Sequence, residues 1–538
     1  AIPVASPPML HRLVQAAVEQ VHAAGDLQHY AGLRQTPGFS LALRDIFAEL
    51  KRALVYPETF LERAASGNPA QQELARLYQA YQARLQALGW ADPEGLSWLA
   101  VEALQNNPGL VSEIRLLVVD GFDSFNNAQC QALRLLAPTV PDILITLPGE
   151  PSFHRSVHRR SEAAYQALSS SLPLTVRHSS GSPHLPRPLQ QLEASLFEPG
   201  VIPLAPADSI HMIEARSPAE EAREALRWLK ARLVRDKVQP QACAIITPDP
   251  DQYHPYLRQA AAEFGLPLRF TQCPALAQSP AISVLLDLLN LAVLNYPRRL
   301  LLDTLRSPYF DLSAYGLTYH DADVLDEVSR KGQVIEGREQ WDDIFNRLAQ
   351  SQPPSLPIDE EEIQSPVLPY GEQVTPLRQA LNRFFDRLAP PWPSASLENW
   401  IHWLEDLLDA WRYYHQGASE NDQAAFDQLR QVLRALVLGE AVIGVQELSY
   451  NQFCVQLQGA LEGSGIQETT PGNQPSILVL RMIEGRGLRF RAVAILGLSE
   501  GIFPAVENSD PFLDEDLRLS LGLESRLQRQ QPSLFYQA

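Results

Sequence analysis

Lysine and cysteine are both scarce in this chain of 538 residues, and each scarcity narrows the functions that it can have. Only four of the 44 basic residues are lysines, so arginine carries nearly all of the positive charge. The planar fork of arginine suits contacts with phosphate, although a genome-wide codon bias gives the same composition. The four cysteines are far apart and form no CxxC pair: Cys130, Cys243, Cys273 and Cys454. We therefore predict neither a zinc site nor a disulfide framework, which fits a reducing cytoplasm.

Long apolar runs and a secretory leader are also missing. The longest apolar stretch, residues 281–294, is interrupted by Asp287 and Asn290 and is too short to span a bilayer. No charged segment followed by an apolar one opens the chain. We therefore predict a cytoplasmic protein without a membrane segment. Because the chain begins with Ala1 and not with methionine, we interpret it as a fragment.

Positive charge is in deficit overall. The 63 acidic residues outnumber the 44 basic ones and give a net charge of −19, which argues against a protein coated for nonspecific nucleic-acid binding. A local basic groove stays possible, and so does a protein scaffold that has no role with nucleic acid. The length predicts three or four domains.

Two α/β segments are predicted among long helical ones. Residues 1–110 have helical periodicity, and so do residues 281–467 apart from a loop at 353–362. Short apolar runs and turn residues predict the elements between and after them. These are strands Ile114–Asp120 and Ile143–Leu147 around a helix Ala128–Leu136; then a strand Ile210–Ile213, a helix Pro218–Val234 with Ser217 as its N-cap, a strand Ala242–Thr247 and a helix Tyr256–Phe264; and finally strands Ser476–Arg481 and Ala492–Leu498. The second α/β segment is thus interrupted by a long helical insertion.

The stretch LLVVDGFDSFNNAQ, residues 116–129, is the first motif with a chemical meaning. Four apolar residues lead into Asp120, as in a parallel strand that is buried and places a carboxylate at its C-terminal end. Any α/β protein can show an apolar run that ends in Asp-Gly. The aromatic at Phe122, the Asn126-Asn127 pair and Gln129 add to the pattern, however. Together they resemble the second helicase motif of the UvrD/RecB superfamily, and most closely that of AddB, an inactivated helicase subunit of AddAB helicase-nucleases.

The resemblance implies a nucleotide site that has lost its hydrolytic residue. In active members the carboxylate at Asp120 holds magnesium, and the next residue is a glutamate that orients the attacking water, whereas here it is Gly121. Glycine can neither accept a proton nor polarise water. The vestigial nucleotide site would consist of Asp120, Gly121, Asp123 and Gln129. No Gly-Lys dipeptide occurs, so the phosphate-binding loop is absent from these residues.

The later motifs carry the resemblance further. Residues 477–504, ILVLRMIEGRGLRFRAVAILGLSEGIFP, resemble the motif V region, but arginines replace several of its usual polar residues. Pro248 stands where a motif IV arginine is usual, and residues 533–538 resemble the start of motif VI. We predict DNA contacts through the arginines of this loop and of a patch after the second strand: Arg155, Arg159, Arg160, Arg481, Arg486 and Arg489. Pairing with surface carboxylates is the alternative for these arginines, and a solvated loop is the alternative for the patch.

A RecB-type nuclease with an iron–sulfur cluster is also part of the AddB family pattern. Such a site needs an acidic-x-Lys pair, and the only one is Glu49-Leu50-Lys51. It lies in an amphipathic helix, and we interpret it as a solvent-facing surface. We assign no catalytic residue and no metal ligand. ATP with Mg²⁺ and the iron–sulfur cluster are expected only in the full-length family.

The resemblance implies an α/β fold with two RecA-like, P-loop NTPase-like parallel-sheet cores and large all-helical insertions, the architecture of superfamily 1 helicases. The implied domains are residues 1–110 as a 1B-like helical insertion of the first core, 111–200 as the rest of that core, 201–280 as the start of the second core, 281–470 as a 2B-like helical insertion and 471–538 as the truncated end of the second core.

The implied function is that of a helicase-like subunit fragment which does not hydrolyse nucleotide. It would bind or scan single-stranded DNA, or a double-stranded end, during double-strand-break processing for recombination and repair. Its partner would be an AddA-like helicase-nuclease motor. The alternatives are an ATP-dependent superfamily 1 helicase/exonuclease, active when full length, and a protein scaffold without a DNA role.

Overall fold

The computed structural model divides the chain into two compact units. Unit 1 comprises residues 1–4, 45–274 and 469–538, and unit 2 comprises residues 5–44 and 275–468. The structure describes residues 2–65, 67–149, 155–178, 186–199, 209–272, 275–352, 368–415, 420–466, 474–504, 510–523, 525 and 531–537. The predicted loop at residues 353–362 lies outside them. The fold is mixed α/β, mostly helical, with small parallel sheets.

Unit 1 contains all of the parallel strands that the structure describes. Its helices are α3 Pro57–Ala64, α4 Pro69–Leu88, α5 Pro93–Asn106, α6 Asn127–Leu136, α7 Arg159–Ser169, α8 Arg187–Ser195, α9 Pro218–Arg235, α10 Pro250–Phe264, α19 Glu515–Ser520 and α20 Gln531–Gln537. Its strands are β1 Leu116–Val119, β2 Asp142–Ile145, β3 Cys243–Thr247, β4 Leu268–Phe270, β7 Ile477–Arg481 and β8 Ala492–Ile495.

The regular elements described in unit 2 are helices and one short antiparallel pair of strands. Its helices are α1 Pro7–Ala23, α11 Pro280–Val293, α12 Arg298–Leu305, α13 Tyr319–Gly332, α14 Arg338–Gln350, α15 Val374–Leu388, α16 Leu397–Ala410, α17 Glu420–Ile443 and α18 Tyr450–Glu462. The strand pair is β5 Ser394–Ala395 with β6 Leu448–Ser449. The residues of helix α2, Pro37–Arg52, are divided between the two units. Those up to Arg44 belong to unit 2, and those from Asp45 onward belong to unit 1.

Four parallel strands from distant parts of the chain form one sheet in unit 1, in the order β4-β7-β3-β8. Ile245 of β3 pairs with Val479 of β7 on one side and with Ala494 of β8 on the other. Helices α9 and α10 cover the face that carries Ile245 and Val479 and bury it completely. The predicted second α/β segment is thus confirmed. A long helical insertion interrupts it between β4 and β7, which nevertheless pair side by side in the sheet.

Helix α9 begins where its sequence signals place it. Ser217 has an extended backbone and its side chain accepts a hydrogen bond from the Glu220 amide, while a proline occupies the first turn. Helix α10 ends at Gly265, whose φ of 66° is the left-handed conformation that closes a helix. Both predicted helices are confirmed, and α10 begins six residues earlier than predicted, at Pro250.

The first predicted strand-helix-strand unit is confirmed as parallel β1 and β2 joined by α6, with Val119 paired to Ile145. The prediction that β1 is buried is wrong. Leu117 and Val119 pack against Leu133 of α6 and Leu168 of α7, but Val118 is 52% exposed on the opposite face. In the part of the chain that the structure describes, only one face of this two-stranded sheet is covered.

The predicted strand Ile210–Ile213 is wrong as well. The segment is irregular and pairs with no described strand, and Met212 is 94% exposed. Its apolar residues therefore did not signal a buried position. The predicted domain boundaries stay an interpretation, but residues 5–44 group with the helices of unit 2 and not with the rest of residues 1–110.

Unit 2 is built on a large aromatic and aliphatic core. Trp400, Trp411 and Tyr413 are completely buried in it, so these aromatics pack in the core and do not form a surface for bases. Helix α1 packs against α17 and α18. Gly459 of α18 permits this approach, because a Cβ there would overlap the imidazole of His11.

Within the described residues, no helix is both long enough and apolar enough to cross a lipid bilayer.

Candidate nucleic-acid interface

Asp120 lies at the carboxyl end of β1, as the motif predicts, and its side chain is exposed. The hydroxyl of Thr146, directly after β2, donates a hydrogen bond to the Asp120 carboxylate. The Thr146 amide also donates to the carbonyl of Val119 at 3.0 Å. These two hydrogen bonds connect the ends of β1 and β2, and Oδ1 of Asp120 accepts from the Thr146 hydroxyl.

Gly121 has a backbone conformation that favours glycine. Its φ is +80°, in the left-handed region, and nothing lies within 4 Å of the position of a Cβ. A residue with a side chain would cost roughly 1–2 kcal/mol there because of backbone strain and not because of a clash. The turn after Asp120 therefore favours glycine over any residue that carries a side chain, glutamate included.

Gln129 caps a helix. Its side chain accepts a hydrogen bond from the Asn126 amide at 3.0 Å, and the Asn126 side chain accepts one from the Gln129 amide at 2.8 Å. This is a capping box at the start of α6. The spacing of three residues before an apolar run is a sequence signal for this role, which our prediction of a nucleotide site overlooked.

Asp123 is the centre of the site. It is only 1% exposed, and Nε of Arg160 in α7 lies 2.7 Å from its Oδ2. Nη1 of Arg486 forms an ion pair with its Oδ1. We predicted Asp123 in a nucleotide site and the two arginines at DNA, and we did not predict that they meet. Residues 363 positions apart cannot be paired from periodicity or spacing.

The loop after β7 is held by Glu484. Its carboxylate accepts hydrogen bonds from the Arg481 amide at 2.9 Å, from the Thr271 hydroxyl at 2.5 Å and from the side chain of Gln272. Burial opposes ionisation of Glu484, but these hydrogen bonds and the charge of Arg481 outweigh it and lower its pKa. Thr271 and Gln272 follow β4, so they reach Glu484 from the carboxyl edge of the same sheet.

Three of the six predicted DNA-contacting arginines are exposed. Arg481 has a 44% exposed side chain and a long ion pair to Asp251 at 3.8 Å. Arg159 and Arg489 are exposed, and no partner for either is found in the ranges that the structure describes. These guanidinium groups are accessible to a phosphate.

Arg155 lies in a different environment. It is 8% exposed, and its guanidinium lies 3.6 Å from the Glu193 carboxylate, 3.5 Å from that of Glu198 and over the ring of Tyr536 in α20. Its charge is compensated inside the protein. His154, which precedes Arg155 in the same basic stretch, lies outside the described residues, and a DNA contact of Arg155 stays a prediction.

The prediction that Glu49-Leu50-Lys51 faces solvent is wrong. Lys51 is completely buried, with its Nζ 2.6 Å from Oδ2 of Asp92, and burial lowers its pKa although Asp92 opposes this. Glu49 forms a two-pronged ion pair with Arg518, which is 1% exposed. The partners come from distant segments, so the helical pattern of α2 gave no sign of them. Among the described residues, no three acidic, His or Cys side chains could hold a metal ion.

Residues 11–171 match a family model described as ADDB, N-terminal. The chain is similar to a subunit of the ATP-dependent helicase/deoxyribonuclease of Oceanobacillus iheyensis, with 21% identity over 551 aligned residues. The alignment covers 92% of this chain and 46% of that protein, so the chain spans about half the length of the curated relative that it matches. The predicted resemblance to the AddB type is confirmed as a distant homology.

Proposed function

We propose, from the match of residues 11–171 to the AddB N-terminal family, that this chain holds a DNA strand for an AddB-type helicase-nuclease without hydrolysing nucleotide. The observation that carries the proposal is the meeting of two arginine-bearing segments, residues 155–160 and 481–491, at the carboxylate of Asp123. Both segments belong to unit 1. They offer several guanidinium groups to a backbone that carries one phosphate per nucleotide.

The distribution of charge supports unit 1 as the part that contacts DNA. Unit 2 contains 30 acidic and 16 basic residues, whereas unit 1 contains 33 acidic and 28 basic ones. Most of the net charge of −19 thus belongs to the helical unit, which would repel a polyanion. In unit 1 the acidic and basic residues are nearly equal in number, so little net negative charge opposes the binding of a phosphate by its exposed arginines.

The RecA-like cores are part of the proposal. The first would be built on β1, α6 and β2, and the second on the sheet β4-β7-β3-β8 with α9 and α10. Loops at the carboxyl ends of parallel strands are the usual place of a binding site in such sheets. Asp120, Arg481, Glu484 and Thr271 all lie at these ends.

Nucleotide hydrolysis does not fit the residues of this site. The glycine conformation at residue 121 disfavours a water-orienting glutamate, and Asp123 is already paired with two arginines. An iron–sulfur cluster is not part of the proposal, because the described cysteines, Cys130, Cys243 and Cys454, lie on separate helices and strands, while Cys273 lies outside the described residues. We propose that an AddA-like motor supplies the pulling force and that nuclease chemistry lies outside these residues.

The test is the binding of a fluorescently labelled single-stranded oligonucleotide, measured by anisotropy over a series of salt concentrations. If Arg159, Arg481 and Arg489 each contact a phosphate, these three contacts alone contribute about −2 to the slope of log affinity against log salt, which is a roughly 20-fold fall in affinity between about 50 and 200 mM salt. Arg489→Ala removes one contact, and the fall becomes roughly sevenfold. Arg235→Ala, an exposed arginine at the end of α9, is the matched control and keeps the wild-type slope.

The scaffold function is the competing candidate, and the net charge of −19 favours it. Absence of oligonucleotide binding at the lowest salt concentration would support the scaffold and refute strand holding. Binding with a slope near zero would also refute it, since contacts to phosphate must release counterions.

A further inference from the structure

One buried carboxylate connects two arginines that come from different parts of unit 1. Arg160 belongs to α7, which follows β2, whereas Arg486 belongs to the loop that follows β7. Asp123 is 1% exposed and accepts from Nε of Arg160 at 2.7 Å and from Nη1 of Arg486. Because each carboxylate oxygen takes one guanidinium, both side chains are fixed by the same group.

The two guanidinium groups retain unused donors. Arg160 also donates from Nη2 to the Ser124 hydroxyl at 3.2 Å, and Arg486 donates from Nε to the carbonyl of Ile483 at 2.9 Å. Nη1 of Arg160 and Nη2 of Arg486 have no hydrogen-bond partner among the residues that the structure describes. The side chains are 17% and 23% exposed, so each is held by buried contacts while part of it is open to solvent.

The charges at this centre do not cancel. Asp123 supplies one negative charge against two guanidinium groups, so these three side chains together carry one net positive charge. The buried arginines described in unit 1 differ in this respect. Arg155 lies beside Glu193 and Glu198, and Arg518 lies beside Glu49 and Asp510, so each of these arginines meets two carboxylates. An excess positive charge that is fixed and partly open is what a phosphate group requires.

We propose that Asp123 is a positioning residue that holds Arg160 and Arg486 together as one two-pronged site for a backbone phosphate of the DNA strand. The inference rests on the proposed strand-holding function and deepens it. Fixing the two long side chains in advance removes much of the rotamer entropy that they would lose on binding. The unused Nη groups then each donate to the phosphate, while the donors that face Asp123 stay in place.

The substitution Asp123→Asn separates positioning from simple electrostatics. It removes a negative charge from the binding region, so a pure charge effect would tighten DNA binding. If Asp123 positions the arginines, binding instead weakens by roughly 10- to 160-fold, the range expected for a lost hydrogen bond to a charged group. The salt slope also becomes shallower by about 0.7 for the one phosphate contact that is lost.

The matched control is Asp142→Asn. Asp142 is exposed at the first residue of β2, in the same unit, and the substitution makes the same change in net charge. We expect its affinity to equal or slightly exceed that of the wild type. A result in which Asp123→Asn binds as tightly as Asp142→Asn, or more tightly, would overturn the inference and assign Asp123 to neutralising the arginines.

A second variant decides the question if Asp123→Asn does not fold, as judged by circular dichroism and thermal unfolding. Arg486→Lys keeps the positive charge but cannot donate at the same time to Asp123, to Ile483 and to a phosphate with the geometry of the fork. We expect it to lose affinity and slope as Asp123→Asn does. Wild-type affinity and slope in a folded Arg486→Lys protein would overturn the two-pronged site.

The same assay distinguishes the inference from the function on which it rests. If the wild type shows no salt-dependent oligonucleotide binding, strand holding itself fails. If the wild type binds and the variants match the control, only the positioning role fails. A competition with inorganic phosphate at constant ionic strength separates the two sources of phosphate. Displacement of the oligonucleotide by low millimolar phosphate would assign the site to free phosphate and overturn the assignment to DNA.

Discussion

Acidification is expected to destabilise unit 2 through His11 of α1. The His11 side chain is 1% exposed, and neither ring nitrogen has a hydrogen-bond partner among the described residues. Burial, and then the positive charge of Arg44, lower the pKa of His11 from 6.5 to about 4. The imidazole is therefore neutral in the folded chain at a pH at which the same group in the unfolded chain is protonated.

The direction of the effect follows from which state binds the proton. Above the unfolded pKa of 6.5 neither state is protonated and the full stability is present. As the pH falls below 6.5, the unfolded chain gains a proton that the folded chain does not, so the free energy of unfolding decreases until the folded pKa of about 4 is reached. The expected loss is about 2 kcal/mol at about pH 5 and about 3 kcal/mol at the lower limit.

The assay is urea unfolding of the wild type and of His11→Leu at neutral pH and at about pH 5. Leucine does not titrate, so the loss of stability between the two pH values is expected to be about 2 kcal/mol smaller in the variant, whatever other groups contribute. His402→Leu, at an exposed position of α16, is the control. Equal pH dependence of the wild type and His11→Leu would refute the reasoning that a neutral His11 is buried against α18.

Two further perturbations test unit 1. Arg518→Met leaves the carboxylates of Glu49 and Asp510 without their shared partner, and about 3 kcal/mol of unfolding free energy is expected to be lost; a change below about 1 kcal/mol in chemical denaturation would contradict this. Gly121→Glu restores the carboxylate of an active motor but places it in a left-handed backbone, so we expect a loss of roughly 1–2 kcal/mol and no gain in ATP hydrolysis in a phosphate-release assay. A stimulated hydrolysis rate in that variant would show that the glycine alone silences the site.

The parallel strands of unit 1 could be predicted because short apolar runs next to turn residues leave few alternatives. The runs before Asp120 and around Ile245 each gave a strand at the expected place. Exposure could not be predicted in the same way. The apolar residues of β1 lie on a two-stranded sheet with one covered face, and Met212 lies in a segment without any strand partner in the described ranges.

The candidate site was only partly predictable from the sequence. Motif spacing indicated which segments carry arginines and which carries Asp120, because these residues follow recognisable strands. The partners were not predictable, since ion pairs such as Asp123 with Arg486 and Lys51 with Asp92 join segments by tertiary packing. Lys51 shows this most plainly, because a charged residue in an amphipathic helix was expected at the surface and is completely buried.

The most direct test of strand holding is backbone hydrogen exchange, followed by mass spectrometry, with and without a saturating single-stranded oligonucleotide. The account predicts slower exchange in two segments of unit 1, residues 155–160 and 481–491, and unchanged exchange in the helices of unit 2. Protection confined to residues 275–466, or no protection anywhere under conditions of saturated binding, would contradict the claim that DNA lies along the arginines around Asp123.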